Sequence, residues 1–175
     1  MASDLISPNV VEWLGRAGYS VSQDPSGSGR VVVYSRGGEE RWFIDLRGDG
    51  WIEVTTSSRG GPEEWECDLA TACVLNHYLV ALCGDSVRER SRLSGWLNLP
   101  IRLDALAPGA DLRKLPGFES PGREELLLDG RLIGIFGFRA PNSHYGVEAS
   151  NYCSLSVQEL MDAYVSEDGA PFGTL

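Results

Sequence analysis

The sequence predicts an α+β fold: an antiparallel sheet built from local hairpins, a buried central helix, and flanking N- and C-terminal helices. Three observations predict it. Arg36-Gly37-Gly38 and Arg47-Gly48-Asp49-Gly50 separate three runs rich in β-branched and aromatic residues, the signature of antiparallel hairpins. The stretch Leu69 to Cys83 is apolar on nearly all sides, as a helix at the centre of a core would be. Capping signals stand near both ends of the chain. Local hairpins mixed with segregated helices argue against a parallel βαβ arrangement.

The elements follow in order. Ser7 and Pro8 open a first helix, a capping hydroxyl followed by proline at the first helical position. Val10, Val11, Trp13, Leu14 and Ala17 form its apolar face, and Gly18 closes it. After a turn cluster from Asp24 to Gly29 come the strands Arg30 to Ser35, Arg41 to Leu46 and Trp51 to Thr56. Ser57 to Pro62 is a polar loop, and Glu63 to Asp68 alternates as a fourth strand would. Asp68 is positioned to cap the central helix and Gly84 to end it, with a short polar helix from Ser86 to Leu93 behind it. From Ser94 to Gly122 prolines at 100, 108, 116 and 121 break every period. This reads as an irregular connector docked by Trp96, Leu97, Leu99 and Ile101, with room for a short helix near Asp111 to Leu115. Glu124 to Leu128, Asp129-Gly130 and Arg131 to Phe138 make a hairpin. Ser156 to Glu159 is a capping box that opens a last helix with Leu160, Met161, Ala163 and Tyr164 on its face, followed by a loose tail from Glu167.

At 175 residues and 42% hydrophobic content, the chain fits one domain over 1–175, with 1–95 and 96–175 as its candidate lobes. Twenty-five acidic residues against fifteen basic ones give a net charge of −10. That balance disfavours a general nucleic-acid binder and suits either a basic partner or plain solubility. No secretory signal or membrane span is expected, and Cys67, Cys73, Cys83 and Cys153 follow no framework spacing. Reduced thiols in a cytoplasm are the expectation.

No complete catalytic or metal-binding constellation emerges, so neither cofactor nor metal is expected. His77 sits in the apolar helix as a hydrogen-bonded core residue, and His144 falls in the polar stretch Asn142-Ser143-His144-Tyr145. A small hydrolase or transferase using His144 with Tyr145, Cys153 or nearby acids stays open, as does a scaffold module. Paired acids recur at Glu39-Glu40, at Glu63, Glu64, Glu66 and Asp68, and at Glu124-Glu125; most read as solvated strand faces. The group after Glu63 abuts the loop, so that Arg59, Gly60 and Gly61 form a slim tip backed by four acids. Such a tip can enter a narrow cleft that a β-carbon would block. The candidate contact is therefore Ser57, Ser58, Arg59, Gly60, Gly61, Pro62, Glu63 and Glu64.

Val11-Glu12-Trp13-Leu14-Gly15-Arg16-Ala17-Gly18-Tyr19, the Arg41-Trp42-Phe43-Ile44 strand after Gly38-Glu39, and the Trp51 strand ending in Thr55-Thr56-Ser57-Ser58-Arg59 together resemble the actinobacterial immunity proteins. Within these the likeness is to the group containing the mycobacterial immunity factor for tuberculosis necrotizing toxin. It covers about the first 95 residues. The resemblance implies a non-enzymatic cytoplasmic antitoxin that binds the catalytic domain of one cognate toxin. It further implies a toxin that hydrolyses NAD, whose NAD pocket the inhibitor occludes without itself using NAD. The N-terminal half has no lysine, so any contact that a relative makes through lysine there must be replaced.

Overall fold

The computed structural model describes residues 4–35, 37–119, 122–140 and 143–174. Arg36, Pro121 and Asn142, used above as turn or loop signals, lie outside them. Eight strands follow one antiparallel path in the order β1-β2-β3-β4-β5-β8-β7-β6, with β9 paired to β8. The first five are β1 (Tyr19–Gln23), β2 (Val31–Ser35), β3 (Glu40–Leu46), β4 (Ile52–Ser58) and β5 (Glu64–Leu69). The others are β6 (Ala110–Glu119), β7 (Gly122–Leu128), β8 (Arg131–Ala140) and β9 (Ser143–His144). β5 pairs with β8 through Cys67↔Phe136 and Leu69↔Gly134. This pairing joins strands from 1–95 and 96–175 in one sheet.

Alternation decides which face the helices cover. Val33, Ile44, Ile52 and Val54 point inward and are buried, and they pack with the apolar faces of α1 (Pro8–Ala17), α2 (Ala72–Arg90), α3 (Tyr145–Cys153) and α4 (Val157–Val165). The other face, with Phe43, Thr55 and Trp65, is half-buried and partly stacked by arginines: Arg30 lies over Phe43 at 4.7 Å and Arg123 over Trp65 at 3.8 Å.

The predicted meander and the Ser156 capping box are present. Several expectations need correction. Ser7 does not cap α1 with its hydroxyl, which donates to Asn76 Oδ1 at 2.8 Å instead, and Val11 is exposed rather than on the packed face. A further strand, β1, follows Gly18 directly. Asp68 belongs to β5, and Thr71 caps α2 by accepting the Val74 amide. Gly84 does not end that helix. It lies inside α2, where a Cβ would collide with the Tyr164 ring, so the glycine is a close-packing position between α2 and α4. The polar helix from Ser86 is the continuation of α2. Cys73, on the first turn, is exposed; Leu79 and Cys83 are buried as expected.

The connector is more regular than its prolines suggested. Asp111 to Leu115 is strand, not helix, within β6, and Leu103–Ala105 forms a 3-10 turn. Leu97 is buried, whereas Trp96 is 70% exposed and Ile101 38%. The tail is docked too. The Asn98 amide donates to Gly173 O, Leu97 bridges Thr174, and Phe172 packs on the core.

Candidate functional site

The candidate loop is the tip of the β4–β5 hairpin. β4 extends through Ser58, so the true turn is only Ser58 to Gly61. Arg59 (φ 50°) and Gly60 (φ 73°) are both left-handed, and the Gly61 amide donates to Ser58 O at 2.8 Å. Two consecutive left-handed residues match the strand twist and give a tight hairpin turn. Ser57 is buried, and its hydroxyl donates to Gly61 O at 2.7 Å, bracing the turn from beneath. The Arg59 amide donates to Glu39 O at 2.6 Å, tying the turn to the β2–β3 hairpin. Ser58, Arg59, Gly60, Gly61, Pro62, Glu63 and Glu64 are all exposed. Open space surrounds the Cβ position of Gly60, while a Cβ on Gly61 would meet Ser58 O at 3.1 Å.

The four acids expected behind the tip do not act together. Glu63 is bound by Arg30, with guanidinium nitrogens 2.7 and 3.3 Å from its carboxylate oxygens, and by the Thr55 hydroxyl at 2.8 Å. The Arg30 hydrogen bond, with the arginine's charge, holds the Glu63 carboxyl below its ordinary range. Asp68 is buried, accepting from the Trp65 indole at 3.2 Å, with Arg47 3.6 Å away. Glu66 is the extra residue of a bulge between the Val54↔Cys67 and Thr55↔Trp65 pairs. It lines a cavity on the helix side of the sheet. Of these four acids only Glu63 and Glu64, at the start of β5, flank the tip. Glu40 adds to them because it pairs with Ser58 across β3–β4, and Glu39 stands beside it. The sequence showed Glu39-Glu40 as a pair, but only strand register brings it to the tip. An open hollow of about 460 Å³ runs from Gly37, Gly38 and Arg41 at this end of the sheet, past Phe43, to Asp24 and Pro25 at the other.

Of the hydrolase alternative, His144 meets a nearby acid, whereas neither Tyr145 nor Cys153 is among the described residues lining the hollow beside it. His144 is buried rather than in an exposed loop, with Nδ1 2.8 Å from Glu124 Oε2, and Glu124 is itself only 2% exposed. A carboxylate–imidazole pair can orient a general base. The described residues lining the small hollow beside it, Arg102, Leu103 and Asp104, include no serine, threonine or cysteine. Tyr145 lines a different cavity, and burial pushes the Cys153 thiol far up, against thiolate chemistry. His77 Nδ1 faces Cys73 O at 2.9 Å and Nε2 faces Leu155 O at 2.8 Å. Nε2 ties α2 to the α3–α4 junction, while Nδ1 faces a carbonyl of its own helix. Among the described residues no group of three or more potential ligands could hold a metal, and no helix is long and apolar enough to cross a membrane.

Residues 13–172 match the family described as Immunity protein 61. The chain is 28% identical over 172 residues to the "Immunity factor for TNT" of Mycobacterium tuberculosis (strain ATCC 25618 / H37Rv) and to the "Immunity factor for TNT homolog" of Mycobacterium bovis (strain BCG / Pasteur 1173P2). Each alignment covers 97% of this chain and 93% of the relative. The solved structure of Rv3902c from M. tuberculosis superposes with a TM-score of 0.83 at 28% identity, covering 97% of this chain and 94% of that one.

Proposed function

The chain belongs to the Immunity protein 61 family, and from that premise we propose that it is a non-enzymatic cytoplasmic inhibitor that blocks the active site of one cognate toxin domain. Relatives named as immunity factors for TNT, together with the resemblance in the N-terminal sequence, favour a toxin that hydrolyses NAD. The observation that carries the mechanism is the β4–β5 tip: a narrow turn, braced from below by Ser57 and flanked by Glu39, Glu40, Glu63 and Glu64. A rigid element loses little entropy on insertion. Its acidic surroundings suit a basic cleft and speed encounter with it.

The test is a titration of NAD hydrolysis by the purified cognate toxin domain. Wild-type protein is expected to inhibit stoichiometrically. Ser58→Trp adds bulk at the tip on an extended residue, and Gly60→Trp adds it at the apex, where the left-handed backbone costs a side chain about 1 kcal/mol. Each should weaken inhibition at least tenfold, about 1.4 kcal/mol, with melting followed in parallel. Full inhibition by a folded Ser58→Trp variant removes the tip as the plug. Failure of wild type to inhibit NAD hydrolysis removes the NAD-hydrolysing target.

A further inference from the structure

Beneath the helices, on the face of the sheet away from Phe43 and Trp65, lies a partly enclosed cavity of about 200 Å³ between α2, α3 and the β5–β8 pair. Three carboxylates line it from three elements: Glu66 of β5, Asp85 of α2 and Glu148 of α3. Three tyrosines, Tyr78, Tyr145 and Tyr152, provide the aromatic walls. The described residues lining it include no arginine, lysine or histidine.

Two features make this more than a set of surface acids. Tyr78 is only 8% exposed, yet its hydroxyl has no hydrogen-bond partner. A buried polar group left unpaired costs free energy, and native proteins rarely tolerate one without a reason. Burial above all raises that hydroxyl's pKa, followed by the charges of Cys67, Glu66, Tyr145 and Glu148, and these four residues line the cavity together with Tyr78. The second feature is the bulge in β5. Without the extra residue, Glu66 would alternate with Cys67 and face away from α2; with it, both side chains line the same cavity.

We propose that this cavity binds an organic monovalent cation, a guanidinium or primary ammonium group. The carboxylates offset its charge, the tyrosine rings attract it through their faces, and the Tyr78 oxygen accepts one of its N–H groups. Asp85 supports this reading, because burial raises its carboxyl above the ordinary range despite the Leu97 amide and the field of Arg88. A bound cation would relieve that desolvation. The cation has two sources: a free small amine, or a basic side chain of the toxin partner. The second is within geometric reach. The Ser86 side chain lies near the Tyr19 hydroxyl, which donates to Glu40 at 3.5 Å, and Glu40 pairs with Ser58. The Asp85 end of the cavity therefore lies at the same end of the strands as the hairpin tip.

The experiment titrates the full chain with N-ethylguanidinium and with its neutral isostere N-ethylurea, followed by NMR. Saturable one-to-one binding of the cation, at least tenfold tighter than the urea, is expected. Glu66→Gln and Tyr78→Phe should each weaken it at least fivefold. Tyr78→Phe removes only an unpaired hydroxyl, so melting should not fall and a folding defect cannot explain the loss. A second arm measures toxin affinity for the same variants. Unchanged toxin affinity beside lost cation binding assigns the site to a free small cation. A fivefold or greater loss of toxin affinity assigns it to a partner side chain. If the charged and neutral probes are indistinguishable and neither variant affects toxin affinity, the cavity holds water and the proposal fails. The first arm does not depend on the toxin reading.

Discussion

Arg88 and Arg30 stand on opposite sides of the sheet and are held in opposite ways. Arg88 is fully buried and makes no carboxylate pair in its hydrogen bonds. All five of its N–H groups are used on backbone carbonyls: Ser94 and Gly95 of the connector, Tyr164 and Ser166 at the end of α4, and Glu167 of the tail. Arg30 stacks on Phe43 and pairs with Glu63, whose side chain is 40% exposed. The second arrangement looks like the stronger electrostatic interaction. Burial and geometry reverse that ranking, because the exposed Glu63 carboxylate could turn to water, whereas the carbonyls around Arg88 could not.

The sharpest way to break this comparison is to remove the buried arginine. Arg88→Ala strands carbonyls from three segments and is expected to cost about 3–5 kcal/mol. Arg88→Lys should recover little, because a single ammonium cannot span them. Denaturant midpoints would check both; a loss below about 1 kcal/mol for alanine would show that water replaces the guanidinium. A smaller effect comes from the same region. Gly84→Ala gains about 1 kcal/mol of helix propensity, but its methyl overlaps the Tyr164 ring. Overpacking costs about 1–3 kcal/mol, so a lower melting temperature is expected; a higher one would mean that α4 yields.

The outer cluster should give the least. Glu63→Gln is expected to change stability by about 0–1 kcal/mol. Its pH dependence has a definite sign. The folded carboxyl is lowered by Arg30, so its contribution is present above the ordinary glutamate range and lost as pH falls through the lowered folded value. Comparing wild type with Glu63→Gln between about pH 5 and pH 2 isolates it. The difference should shrink toward acid, and a difference that grows would contradict the pairing.

The same contrast explains what could be read from the chain. The β2–β4 meander and the α4 capping box are local, and their turn glycines and capping residues advertise them. β6 and α3 escaped notice for a shared reason. Gly146 breaks the apparent helix after His144, yet its Cβ position is filled by a methyl of Leu112 on β6. Meanwhile Pro116 and Gly117 fall where the β6–β7 register shifts. Each element makes sense only against the other. Gly84 misled in the same way, as a helix stop that is a contact with Tyr164. At the candidate site, Arg59-Gly60-Gly61 was legible because the turn is written in its own residues. The neighbours of that turn were not, since Glu40 arrives by register and Glu63 is held by an arginine thirty-three positions earlier. Nothing local separates Arg88 from Arg90, although one is buried and the other exposed.

The single seam between β5 and β8 has a kinetic consequence. Strands β1 to β5 each pair with the next in sequence, as do β6 to β8. Only Cys67↔Phe136 and its neighbours join the two sets. Closing that long loop requires chain entropy to be lost before the pairing returns anything. The two halves can therefore organise independently and meet last, with the unpaired edges of β5 and β8 exposed until they do. That interval is when the chain is most open to wrong strand partners, including a second copy of itself.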